Sequence, residues 1–142
     1  MMNYNLDRFV QAQAYSYETA LSEIKNGCKR THWMWFIFPQ LRELGRSSTA
    51  KYYGIENLEE AKMYLAHPVL GTRLKEISEA LLQLETNSPI QVMGDIDGLK
   101  LRSSMTLFAE IEGYDSVFGK VLDKYYNGNK DMGTIHILSI GG

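Results

Sequence analysis

Five apolar residues, Leu70, Leu74, Ile77, Leu81 and Leu84, advance along the chain in steps of four, three, four and three. Only an α-helix places that spacing on one face, because 3.6 residues complete a turn. The same period recurs elsewhere, and it is interrupted by glycine and proline where helices stop. Asn5 can cap a first helix carrying Leu6, Phe9 and Val10, and Ser16 a second with Ala20, Leu21 and Ile24 inward, stopped by Gly27. His32 to Phe38 suits a buried helix or a buried strand. A helix is preferred, ending before Pro39, since the residue preceding proline is pushed out of the helical region. Pro39 then fits the first position of a short helix through Leu44.

Further on, Ser47 can open a short helix that Gly54 ends, and Asn57 with Glu60 has capping geometry for a helix that stops at His67. There His67 can bond the last carbonyls of that helix. Pro68 opens what reads as the longest helix, to about Glu85. Ser88-Pro89 starts another that Gly94 stops. Asp97 can cap Leu99 to Ile111, and Asp115 can cap Val117 to Tyr126. Asp131 can cap a last segment, although Ile135 to Leu138 also suits a strand. These readings predict an all-α chain, 1–142, forming one domain: a single compact orthogonal-type bundle of about eight helices, several short.

The 142 residues suit one domain, and 44% hydrophobic with 23% charged residues excludes a disordered chain. A net charge of −2 argues against bulk electrostatic binding to nucleic acid or an anionic membrane. The longest strongly apolar run, Trp33 to Pro39, falls far short of the ~20 residues a membrane helix needs. A lone cysteine, Cys28, cannot form an internal disulfide. Together with a start that does not read as a signal peptide, this predicts a cytoplasmic protein. The three histidines have no partner at metal-ligand spacing, and no nucleotide-cofactor fingerprint occurs, so neither metal nor cofactor is expected.

Three segments are distinctive: His32-Trp33-Met34-Trp35-Phe36-Ile37-Phe38-Pro39-Gln40-Leu41, Tyr64 to Leu74 (with His67-Pro68-Val69-Leu70-Gly71), and Lys100-Leu101-Arg102-Ser103-Ser104-Met105-Thr106-Leu107-Phe108. Together they resemble the bacterial family catalogued as domain of unknown function 1810, over nearly the whole chain. The resemblance implies a small, mainly helical domain with no established activity. Some relatives carry the label calpastatin. That inhibitor is a disordered chain, whereas this composition is globular.

Chemistry is most concentrated around Lys29-Arg30-Thr31-His32-Trp33-Met34-Trp35. There Trp33 or Trp35 can stack on a planar ligand while His32 donates a hydrogen bond or shuttles a proton, the candidate catalytic role. The alternative is that these aromatics are core. Two tryptophans two positions apart on a helix point about 200° apart, so at least one is expected to be structural. Arg46-Ser47-Ser48 opens a helix, where an arginine fork and free N–H groups can hold a phosphate or carboxylate, or where Ser47 merely caps. Arg102-Ser103-Ser104 lies inside a helix, where hydroxyls point to close packing or a wet cavity. Lys100 and Arg102 face different ways, so only one is expected to meet a shared ligand.

The reading that follows is binding of an anionic, planar, nucleotide-like small molecule beside the aromatic segment, with or without a reaction attached. Its candidate ligand-binding residues are Trp33, Trp35, Gln40, Arg46, Ser47, Lys100, Arg102 and Ser103. The alternative is a protein-interaction module, suggested by nine tyrosines, among them the pairs Tyr52-Tyr53 and Tyr125-Tyr126.

Overall fold

Helix periodicity decides the architecture, and burial sorts it. The structure, a computed structural model, describes residues 4–141. It is all-α, with ten helices among the described residues: α1 (Asp7–Ala14), α2 (Tyr17–Lys25), α3 (Met34–Ile37), α4 (Ser48–Tyr52), α5 (Leu58–Ala66), α6 (Leu70–Leu82), α7 (Pro89–Met93), α8 (Asp95–Glu112), α9 (Val117–Tyr126) and α10 (Met132–Gly141). Helix α8 packs on α5, α7, α9 and α10, while α6 lies against α2, α5 and α9. One cluster of buried apolar side chains runs through α1 to α3 and α5 to α9. Four of the five seam residues behave as the period requires: Leu70, Leu74, Ile77 and Leu81 are buried, each contributing roughly 1.5–3 kcal/mol, whereas α6 ends at Leu82, short of Glu85, and leaves Leu84 beyond it and half-buried.

Several boundaries differ from the expectations. Helix α8, at 18 residues, is the longest, exceeding α6 at 13. It begins at Asp95, so Asp97 lies within its first turn instead of capping it. Asn5 does not cap α1, whose preceding residue is Leu6, and Ser116 rather than Asp115 precedes α9. The segment 132–141 is helix throughout, which settles the C-terminal ambiguity against a strand. His67 reaches forward rather than back: its Nδ1 accepts from Val69 N and Leu70 N at 3.1 and 3.2 Å, capping α6.

The stretch from His32 departs most. Only Met34–Ile37 is helical, and residues 39–41 are extended before a 3-10 turn at Arg42–Leu44, not a continuous helix from Pro39. A partner across the fold explains this. Arg42 N donates to Ile55 O at 2.8 Å and Ile55 N to Gln40 O at 2.9 Å, an isolated parallel bridge that satisfies backbone groups a helix would otherwise use. The bridge requires glycine beside it: a Cβ on Gly54 would stand 2.3 Å from Arg42 Cα.

The loop before α3 is organised by one buried carboxylate. Glu23 Oε1 accepts from Arg30 N (2.7 Å), Thr31 N (3.0 Å) and Trp33 Nε1 (2.9 Å), and Oε2 accepts from Thr31 Oγ1 (2.7 Å). Burial alone would raise this carboxyl, but the four donors outweigh it and hold it down at about 2. A carboxylate lowered from 4.5 to about 2 contributes stability that is complete above about pH 4.5 and is lost as the pH falls toward 2. Glu23→Gln should therefore cost about 1.5–3 kcal/mol at pH 7, read by urea unfolding, with the gap from wild type closing across that acid window. Equal stability at pH 7 would show that the loop is held by something else.

Candidate functional site

Ile96, Leu99, Lys100 and Ser103 follow one another by three, one and three residues, which aligns them as one stripe on α8. That stripe faces an open hollow of about 460 Å³, within the range of small-molecule sites. Gln40 lines the opposite side together with the turn and α4, which bring Leu44, Arg46 and Ser47. The bridge to Ile55 sets the position of Gln40, because the same residue's carbonyl accepts from Ile55 N. Asp131, at the start of α10, closes the hollow's end.

The charges are unequally engaged. Lys100 Nζ lies 4.0 Å from Asp97 Oδ1, whereas Lys29 Nζ holds Asp97 Oδ2 at 3.0 Å and sits 4.8 Å from the Trp33 ring centroid. Lys100 is thus the more weakly paired of the two ammonium groups. Arg46 is exposed and forms no salt bridge among the described residues. Ser47 Oγ accepts from Ala50 N at 3.0 Å, so it caps α4 while its residue borders the hollow. Asp131 Oδ2 accepts from Ser103 Oγ (3.1 Å), Thr134 N (3.0 Å) and Thr134 Oγ1 (2.6 Å).

The residues singled out from sequence therefore divide. Gln40, Arg46, Ser47, Lys100 and Ser103 meet around the hollow. Trp35, half-buried, borders a side void of about 10 Å³ that shares Gln40, Ala50 and Lys100 with the hollow, and Lys100 Nζ lies 5.8 Å from its ring centroid. That void has room for about one water. Arg102 does not line the hollow, and its Nη2 lies 3.8 Å from Asp131 Oδ1. Two assignments are corrected. Trp33 is 1% exposed and its indole N–H is spent on Glu23, so it is core and cannot stack on a ligand. His32 precedes α3 on an exposed loop and does not line the hollow, because the Glu23 donors start the helix two residues later than expected.

Asp131, Ile96 and Leu99 were not anticipated as wall residues. Asp131 reads in sequence only as a helix cap, which it also is. Ile96 and Leu99 follow the helix period and suggest core, yet they are 69% and 64% exposed. Among the described residues no three His, Cys, Asp or Glu side chains cluster as a metal would need, and no helix is long and apolar enough to cross a membrane.

The fold is all-α and carries several open surface hollows, one of which is lined by Arg46 and Lys100. The chain belongs to the DUF1810 family, described as proteins of unknown function, whose pattern matches residues 3–138. It is similar to the conserved hypothetical protein Rv1873 from Mycobacterium tuberculosis, known from a crystal structure, at 47% identity and a TM-score of 0.92, covering 95% of this chain and 96% of that one. Among curated proteins there is no match.

The two tryptophans should separate in solution. Trp35→Phe should remove most of the fluorescence quenchable by acrylamide and leave stability near wild type. Trp33→Phe should leave the quenchable signal but cost about 1.5–3 kcal/mol, since it strips a hydrogen bond from a charged acceptor. Equal quenching of both variants would contradict the burial difference.

Proposed function

We propose that the hollow binds an anionic, planar small molecule of nucleotide-like size. The observation that carries this reading is the meeting of two under-engaged cations, Arg46 and Lys100, with the amide side chain of Gln40 and with apolar walls, in a space of about 460 Å³. A guanidinium and an ammonium in a concave wall favour anions over neutral ligands. Leu44, Leu99 and Ile96 supply the apolar surface that a base or other flat group needs, and Trp35 adds an aromatic edge beside Lys100. No reacting group is assigned: the histidine read as a proton shuttle lies outside the hollow.

A second reading, a protein-interaction module, is supported by a different observation. Ile96, Leu99, Met132 and Ile140 are each more than 60% exposed, and Tyr15 is 93% exposed. Such side chains suit a partner surface as well as a ligand mouth.

The test is a thermal-shift titration with adenosine and guanosine 5′-monophosphates. A ligand at a hundred times its Kd should stabilise the wild-type protein by about 2.7 kcal/mol. Arg46→Ala and Lys100→Ala should each weaken binding about tenfold or more while leaving the ligand-free stability within about 0.5 kcal/mol. His32→Ala should bind like wild type. If neither nucleotide stabilises the wild-type protein, the reading falls and the interaction surface becomes the better account.

A further inference from the structure

Asp131 is out of place in a hollow meant only for anions. Its carboxylate stands beside Ser103 on the same wall as Lys100, and the two oxygens are treated differently. Oδ2 is filled by Ser103 Oγ, Thr134 N and Thr134 Oγ1. The backbone N of Asp131 donates to Thr106 Oγ1 at 2.9 Å, so the residue is fixed from both ends. Among the described residues Oδ1 has only an ion pair with the guanidinium of Arg102, at 3.8 Å, which is beyond hydrogen-bond length. One oxygen of a rigidly held carboxylate is thus left with free acceptor capacity in a side chain that is 20% exposed.

We infer that Asp131 Oδ1 accepts a hydrogen bond from a sugar hydroxyl of the ligand, so that the hollow takes a phosphorylated nucleoside or sugar and discriminates against anions without hydroxyls. The inference rests on the anion-binding reading above and deepens it. A carboxylate rejects a second anion by like-charge repulsion but favours hydroxyl donors, as acidic residues that hold ribose hydroxyls in nucleotide sites do. Spacing selects the sugar. Lys100 and Ser103 are three residues apart on α8, about 4.5 Å along its axis, and Ser103 touches Asp131. With a phosphate on Lys100, the donors within one helical turn are those of the sugar it esterifies, whereas the amino group of a base lies on the far side.

The test compares four probes on wild type and Asp131→Asn by calorimetry: adenosine 5′-monophosphate, its 2′,3′-dideoxy analogue, ribose 5-phosphate and pyrophosphate. Wild type should bind adenosine 5′-monophosphate about tenfold or more tighter than the dideoxy analogue, and Asp131→Asn should lose most of that preference. Tight binding of ribose 5-phosphate as well would place recognition on the sugar phosphate, while its weak binding beside a retained diol preference would place it on the whole nucleoside. The inference is overturned if wild type binds the dideoxy analogue as well as the parent, or if Asp131→Asn keeps the full preference. If no probe binds wild type, the anion-binding reading itself has failed. Should Asp131→Asn not fold, the wild-type Asp131 carboxyl carbon resonance decides: it should move with adenosine 5′-monophosphate and not with the dideoxy analogue, and an unmoved signal with both sinks the inference.

Discussion

Ser103, Ser104 and Thr106 lie buried on α8 among Leu101, Met105, Leu107 and Phe108. A hydroxyl in such surroundings costs free energy unless it finds a partner. Two of the three find it at least in part in one residue: Thr106 accepts from the backbone N of Asp131, and Ser103 Oγ shares its one proton between Leu99 O and the Asp131 carboxylate. That requirement ties the start of α10 to the middle of α8. It also fixes one end of the hollow, since the residue that satisfies the buried hydroxyls is the residue that closes the space above them. Ser104 Oγ is left without a hydrogen-bond partner among the described residues.

A second constraint acts from the other side. The carboxylate of Glu23 gathers the loop ahead of α3 and draws the Trp33 indole inward. Lys29 shields that indole and also engages Asp97 on the first turn of α8. Asp97 therefore stands between two ammonium groups, one locked in the loop and one at the hollow's wall. A group shared this unequally leaves the weaker partner more responsive to a visiting anion than the stronger. A third anchor, the 3.0 Å ion pair of Arg8 with Glu60, joins α1 to α5, with Arg8 also donating to Tyr52 O and Gly54 O.

Much of the fold was legible because helices announce themselves locally. Periodicity and caps found the apolar faces of α2, α6 and α9, and Ser47, Asn57 and Ser88 cap by their own side chains as their positions suggest. The failures between Trp33 and Leu44 share a cause: a distant partner. Nothing near Pro39 in sequence reveals that Ile55 will pair with the chain there, and nothing near Trp33 reveals Glu23 as its acceptor. The site shows the same split. Lys100 and Ser103 could be placed on one face by counting, and the divergence of Lys100 from Arg102 is seen. Asp131 escaped because capping accounts for its side chain without reference to any wall, and Ile96 with Leu99 because an apolar residue at helical spacing looks the same whether it is covered or bare.

The backbone approach at Gly54 has a thermodynamic corollary. Where main chain rests on main chain, as Gly54 does on Arg42, there are no side-chain rotamers to rearrange, and the two strands of chain behave as one stiff rib. Gln40 hangs from that rib. A ligand seated there would meet main chain already in its final shape, so the disorder left to be surrendered on arrival would be that of side chains such as Gln40 and not of the backbone.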